Sequence, residues 1–317
     1  MKTNGNSISK PFVKWAGGKG QLLSTYQNLL PEHMDTMGDL TYIEPFVGGG
    51  AMLFFVLQNF PNIKRAVIND LNADLITAYR MVKHHPIQLI QVLQVMEREY
   101  MNMTDENLRK DYYLSVRNKF NEKRLSDIDN AACFIFLNKT CFNGLYRVNS
   151  KGSFNVPHGK YKNPCICDKQ GITKSSELLQ KVEIMCGDFE QTEQYVTKQT
   201  FMYFDPPYRP IDATSAFTSY TKFGFNDDEQ VRLKKFFDRL SHRNCLIMLS
   251  NSDQKEKDST NLYFDKLYQD YIIERVLASR SINSKADKRG KISEILIRNY
   301  EKTISLEHTN THRIIHQ

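Results

Sequence analysis

Apolar and polar positions along this chain fall into blocks whose period changes twice. Thr41-Tyr42-Ile43 is a short apolar run that stops at Glu44-Pro45; Gly48-Gly49-Gly50 follows, then an apolar stretch to Leu57, then Ala66-Val67-Ile68 ending at Asn69-Asp70. Strand, glycine turn, helix and strand are the elements this predicts. Between about residues 76 and 138 apolar side chains recur at steps of three and four, as in Leu89, Val92, Leu93 and Met96, and glycine is scarce, so the segment reads as helices. Residues 139–163 carry turn signals at Asn143-Gly144 and Lys151-Gly152 and read as loop and hairpin. Strand-helix alternation returns at Val182-Glu183-Ile184-Met185 and continues with Phe201 to Phe204. Asn226-Asp227-Asp228-Glu229 is a helix start, a capping side chain followed by acids that complement the helix dipole. Cys245 to Leu249 is a further buried strand, closed by Ser250-Asn251-Ser252-Asp253. The expected fold is α/β: one sheet domain in two parts, residues 1–75 and 183–302, interrupted by a largely helical insert, 76–182, and followed by a tail, 303–317.

Composition bounds the answer without choosing a function. The 317 residues are 40% hydrophobic and 25% charged, ordinary for a globular protein. No apolar run nears the roughly 20 residues of a membrane helix, and the N-terminus lacks the layout of a signal peptide, so a cytoplasmic protein with no membrane partner is expected. Six cysteines in a chain of this length do not make a disulfide framework. Cys165-x-Cys167 is the one close pair, short of a zinc-binding spacing, and no metal is expected. Charge changes the picture more. The net +7 sits in the insert: residues 76–182 hold 17 Lys+Arg against 10 Asp+Glu, and the remainder is balanced at 26 against 26. Lys139 to Lys162 contains five basic residues and no acid, a density that suits a polyanion, although solvated faces carry such runs too.

Chemistry concentrates where the apolar strand Phe201 to Phe204 runs into Asp205-Pro206-Pro207-Tyr208. Asp205 supplies a carboxylate acceptor. Pro206 has no N–H and is biased by Pro207 toward an extended conformation, which turns its carbonyl outward as a second acceptor. Tyr208 offers a face for stacking. Two acceptors converging on one amino group beside an aromatic plate suit an enzyme that modifies an amino nitrogen on a flat ring. A proline turn after a strand is the plainer reading of the same four residues.

The first half of the chain carries the marks of a nucleoside site. Glycines at a strand-to-helix turn let a ligand approach the backbone, and Asp70, twenty residues after Gly50 at the next strand end, is placed to grip two ribose hydroxyls. A tight turn with no ligand is the alternative. Gly48-Gly49-Gly50-Ala51-Met52-Leu53 is neither GxGxxG nor the phosphate-binding GxxxxGK[ST], so a cofactor with ribose but no pyrophosphate fits better, and S-adenosylmethionine is such a cofactor. Upstream, Phe12-Val13-Lys14-Trp15-Ala16-Gly17-Gly18-Lys19 holds the chain's single tryptophan. Trp15 either fills the core or walls the methionine end of that cofactor, with Lys19 on its carboxylate.

Five segments, Phe12 to Lys19, Glu44 to Gly50, Asn69-Asp70, Asn138 to Pro157 and Asp205 to Tyr208, occur in the order found in one family. Over about residues 10–300 the chain resembles the Dam-type, D12-class DNA adenine-N6 methyltransferases. The resemblance implies a Rossmann-like S-adenosylmethionine-dependent methyltransferase core with an inserted target-recognition domain, and double-stranded DNA as partner. It implies cofactor contacts at Trp15, Lys19, Glu44, Phe46, Gly48, Asp70, Asp188 and Asp205, and catalysis by Asp205, Pro206 and Tyr208. The target adenine would leave the stack, lie on Tyr208 and donate its amino N–H groups to Asp205 and the Pro206 carbonyl, with direct in-line transfer and no covalent enzyme intermediate. Within the insert, Thr140 to Arg147 and Gly152 to Pro157 resemble the family's recognition hairpin, with Lys139, Asn143, Leu145, Arg147, Asn155 and Pro157 as expected DNA contacts. Arg147 matches the arginine that reads a guanine through O6 and N7, and GATC is the expected target. His158 stands where the closest relatives are expected to carry phenylalanine. Arg275 to Lys291, with six basic residues and one acid, reads as a phosphate-contacting loop or a solvated hairpin.

Two rival readings differ in class. Methyltransferases of RNA or of glutamine amides use similar tetrapeptides but usually begin them with Asn and lack the inserted hairpin. A non-catalytic DNA-binding protein would tolerate loss of Asp205, Trp15 and Asp70, and all three are present. A monomer is expected. Functional pairing with a restriction endonuclease and a phage, plasmid or chromosomal role are contexts the sequence leaves open.

Overall fold

The computed structural model describes residues 10–15, 17, 19–210, 225–279 and 291–301. Among these residues seven strands, β1 (Thr41–Glu44), β2 (Arg65–Asp70), β3 (Val182–Cys186), β4 (Thr200–Phe204), β5 (Leu246–Ser252), β6 (Ile272–Ser279) and β7 (Lys291–Arg298), form one sheet in the order β3-β2-β1-β4-β5-β7-β6. Neighbours from β3 to β5 are parallel, and β7 inserts antiparallel between β5 and β6. Strand order reverses between β1 and β4. That is the switch point beyond whose carboxyl ends open α/β sheets hold their ligands.

Strand residues alternate between two cores. Tyr42, Ala66, Ile68, Phe201, Tyr203 and Met248 face one, while Ile43, Val67, Met202, Phe204, Ile247 and Leu249 face the other. Because both faces are covered, these strands are continuous apolar runs, as a buried parallel sheet requires. The helices are α1 (Leu23–Gln27), α2 (Ala51–Asn59), α3 (Ala73–His84), α4 (Pro86–Asn102), α5 (Glu106–Asn121), α6 (Asp127–Thr140), α7 (Lys169–Leu179), α8 (Asp227–Ser241) and α9 (Tyr263–Leu267). Side chains of α8 and α9, among them Leu233, Phe236, Phe237 and Phe264, fill the second core, and helices up to α7 fill the first. Local chemistry starts several of them. Asn72, Asp105, Ser126, Asp168 and Asn226 each accept a backbone N–H as the cap of α3, α5, α6, α7 and α8, and Pro86 opens α4 where its missing N–H costs nothing.

The chain between β2 and β3 is not a detached unit. α3 to α6 share one continuous core with the sheet, running through Tyr79, Leu93, Tyr100 and Phe136. Two elements escape the hydrophobic pattern. α7 turns Ile172, Ser175, Ser176 and Leu179 inward at helical spacing, but two of those four positions are serines. The β6–β7 pair flanks the basic segment Arg275 to Lys291, of which residues 280–290 lie outside the described residues. Arg275 itself is in β6 and is spent on ion pairs with Asp253 at 3.2 Å and Asp265 at 2.9 Å.

Candidate active site

A cavity of about 510 Å³ opens beyond the ends of the central strands. Each strand contributes the residues that follow or close it: Glu44, Phe46 and Gly48 from β1, Asp70 from β2, Asp188 after β3, and Asp205, Pro206 and Tyr208 after β4; Trp15 and Lys19 complete the lining. The structure therefore gathers every expected cofactor and catalytic residue around one space of the size that small ligands occupy.

Asp70 ties the glycine turn to the end of β2. Its Oδ2 accepts the Gly48 N–H at 3.0 Å and its Oδ1 the Asn72 N–H at 2.9 Å, and the Leu71 N–H also bonds the carboxylate. Burial pushes this carboxyl up from its ordinary range, and the backbone donors pull it back. Gly50 is left-handed, with φ of 76°, and a Cβ there would strike the Tyr79 hydroxyl, which donates to the Gly48 carbonyl at 3.1 Å. At Gly48 a Cβ would lie 2.8 Å from the Trp15 ring, so the indole rests on bare backbone. Trp15 also stacks on Tyr146, with centroids 5.8 Å apart and planes at 21°. Both readings of Trp15 meet here: it lines the cavity and it joins the core beneath the hairpin.

Asp205 is half committed. Its Oδ1 accepts from Ser250 Oγ at 2.9 Å and pairs with Lys19 Nζ at 3.1 Å, while Oδ2 has no donor among the described residues. The Pro207 carbonyl takes Gln230 Nε2 at 3.3 Å, whereas that of Pro206 has no donor among the described residues. Two acceptors on consecutive residues are thus open at the cavity. Burial pushes the Asp205 carboxyl up; Lys19 pulls it down and Glu294 opposes Lys19. Lys19 is only 3% exposed, and its ammonium also reaches the Gly17 carbonyl at 3.1 Å and Glu294 at 3.6 Å. Its ammonium already has Asp205, Gly17 and Glu294 around it, so a ligand carboxylate would have to compete with these partners.

The remaining cofactor candidates are held more simply. Glu44 is buried and accepts from the Tyr42 hydroxyl at 2.7 Å, and burial pushes its carboxyl well up. Asp188 accepts from the Glu190 N–H and pairs with Arg232 at 2.6 Å, while Phe46 packs on Phe189 with centroids 5.3 Å apart. Sequence reasoning misses Arg232, Glu294, Ser250 and Tyr146 as members of this site. Each sits in an element whose local pattern explains it as helix or strand surface, or core, without the cavity.

The hairpin forms bridges Cys141 to His158 and Val148 to Phe154 and is bolted to α5: Tyr113 donates to the Val156 carbonyl at 2.7 Å, and Asn121 exchanges two hydrogen bonds with Phe154. Arg147 is exposed, and its Nε and Nη2 donate to Asn155 Oδ1 at 2.8 Å and the Asn155 carbonyl at 3.3 Å. Pro157 is exposed and its carbonyl takes the Phe142 N–H at 2.9 Å, next to Asn143, which adopts a left-handed φ of 55°. Leu145 is partly buried against the core. Lys139 is partly buried at the end of α6, where burial holds its ammonium below its ordinary range. His158 meets Tyr100 through Nε2 at 2.7 Å.

One side chain fastens this hairpin to the cavity wall. Asn138 Oδ1 accepts the Lys14 N–H at 2.7 Å, and its Nδ2 donates to the carbonyls of Lys14 at 2.7 Å and Gly144 at 3.1 Å. Asn138→Ala strands buried backbone groups and is expected to lower stability by about 2 kcal/mol in denaturant unfolding. A loss below about 0.5 kcal/mol would mean that water replaces the amide freely.

Residues 15–282 match the family model described as D12 class N6 adenine-specific DNA methyltransferase. The chain is 49% identical to the "Type II methyltransferase M.MjaIII" of Methanocaldococcus jannaschii, over 92% of this chain and 99% of that protein. It is 43% identical to the "Type II methyltransferase M1.LlaDCHI" of Lactococcus lactis, over 92% and 95%. Against the "DNA adenine methylase" of Escherichia coli strain K12 it is 30% identical, over 91% and 94%.

Proposed function

The chain belongs to the D12 class of N6 adenine-specific DNA methyltransferases, and from that premise we propose that it methylates adenine within GATC in duplex DNA, taking the methyl group from S-adenosylmethionine and working on a flipped-out base. It is an adenine-specific DNA methyltransferase.

The cavity's residues suit the cofactor. Asp70 lines the cavity at the end of β2 for ribose hydroxyls, the glycine turn and Trp15 offer flat apolar wall, and Asp188 after β3 with Phe46 after β1 stands for an adenine ring. Bound S-adenosylmethionine supplies an electrophilic methyl group on a sulfonium. The chain's own task is to present the amine. A base inside a duplex is out of reach, and extruding it costs a few kcal/mol. Tyr208 recovers part of that by stacking. The lone pair of the adenine amine is delocalised into the ring, so N–H bonds to Asp205 Oδ2 and the Pro206 carbonyl favour a more tetrahedral, more nucleophilic nitrogen and aim it. The observation that carries this reading is that these two acceptors are the open ones at the end of β4.

Arg147 supports GATC as the target, since Asn155 holds one edge of its guanidinium and Nη1 has no partner among the described residues. Similarity to two proteins named type II methyltransferases supports pairing with a restriction endonuclease. We assign a monomer acting in the cytoplasm. Incubation with labelled S-adenosylmethionine and duplexes that contain or lack GATC tests the whole reading. Label confined to other sequences overturns GATC, and no label on any duplex overturns the role of the cofactor.

The geometry also predicts a pH effect. Asp205 is the stronger acceptor when ionised, so activity falls as pH drops through its raised pKa. Lys19 lowers that pKa. Lys19→Gln is therefore expected to move the acid limb of single-turnover transfer to higher pH. A limb that stays in place would show that another group controls it.

A further inference from the structure

Glu294 is a carboxylate behind the cavity wall, against Tyr208 and Lys19, that the proposed reaction does not use. It lies in β7, opposite Ser252 of β5 and Val276 of β6, and its side chain is 14% exposed. Two hydroxyls donate to Oε2, that of Tyr208 at 2.8 Å and that of Tyr26 at 3.1 Å, and Lys19 Nζ stands 3.6 Å away as an ion-pair partner. We propose that Glu294 is a positioning residue, fixing through the Tyr208 hydroxyl the plane on which the target adenine stacks. The proposal rests on reading Tyr208 as that stacking plate.

A tyrosine ring turns about two torsions, so a stacking plate attached only at Cβ has no set tilt. Bonding its hydroxyl to a charged acceptor, a stronger bond than one between neutral groups, removes that freedom. Burial, with Asp205 among the nearby charges, holds the Tyr208 phenol well above its ordinary range, so the hydroxyl remains a donor. Lys19 Nζ sits 4.3 Å from the Tyr208 centroid, over one ring face, so a stacked base would take the opposite face. Tyr26 fixes the carboxylate from a second side. An ion-pairing role for Glu294, offsetting the Lys19 charge beside Asp205, is the competing account, and it makes a different prediction about coupling.

Single-turnover transfer to a duplex that the wild-type protein methylates, measured for E294Q, Y208F, the double variant and Y208A, separates the two. E294Q and Y208F are each expected to slow transfer about tenfold, the value of one such hydrogen bond, and the double variant to be no slower than either. With 2-aminopurine in place of the target adenine, emission should rise in both single variants, because a looser stack quenches less. Losses that multiply to about a hundredfold in the double variant would place the action of Glu294 on Lys19 and overturn the proposal. Y208F at the wild-type rate with Y208A slow would overturn the anchoring alone. Y208A at the wild-type rate would overturn the stacking reading beneath it. Should E294Q not fold, Y208F against Y208A still decides.

Discussion

Asp205→Ala is expected to slow methyl transfer about a thousandfold, the upper range for deleting one preorganised polar group aimed at a reacting centre, with duplex binding changed little. The variant removes the open Oδ2 acceptor. It also takes away the Oδ1 partner of Lys19 and Ser250, so a 3%-exposed ammonium is left to Glu294 and the Gly17 carbonyl. Some loss of stability should accompany it, since a buried charge without its closest partner is costly. Asp205→Asn separates the effects. Its size is the same and an oxygen can still face Lys19, but the second position then presents N–H groups where the adenine amine needs an acceptor. Single-turnover transfer, read beside thermal unfolding, should show the Asp205→Asn protein folded and slow; a rate within about tenfold of wild type would remove Asp205 from catalysis.

Arg147→Ala is expected to cost about 1–3 kcal/mol of discrimination at one guanine position. The reason lies in the hairpin. Asn155 grips Nε and Nη2, and the Asn155 N–H donates back to the Arg147 carbonyl at 3.1 Å, so the guanidinium is presented in a fixed direction by its cross-strand neighbour. Asn155→Ala should weaken the same discrimination less, by freeing the arginine without deleting it. Transfer rates on duplexes changed one base pair at a time give the result. Uniform loss on every sequence, with a shallower salt dependence, would make Arg147 a phosphate contact instead.

Much of the site is legible in the sequence because its parts sit at strand ends. Glu44, Asp70 and Asp205 each close or follow an apolar run, and such runs report themselves within a few residues. The core strands and the start of α8 can be placed closely for the same reason. α7 is harder to place, because two of its four inward positions, Ser175 and Ser176, are serines that read as surface in the sequence. Lys19 shows a subtler limit. Its position near the cofactor motifs suggests a ligand contact, but Asp205 lies 3.1 Å away and takes the ammonium first. The insert's basic charge suits a polyanion, yet Lys139 within it is partly buried and Arg275 beyond it is paired with acids. Charge counted along a chain does not distinguish a free cation from a spent one.

By itself the sequence determined the α/β class and the family, and it marked Asp205 to Tyr208 and Asp70 as candidate site residues, since each is written in adjacent residues or in their order. Tertiary structure alone decided which oxygen of Asp205 is open, that Trp15 rests on both the glycine turn and Tyr146, and that Glu294, 86 residues after Tyr208, holds its hydroxyl. These depend on the antiparallel insertion of β7 between β5 and β6 and on the hairpin folding onto α5. Contacts across such sequence distances come from sheet order and shared core, and within β7 itself Glu294 is one more polar residue in a strand.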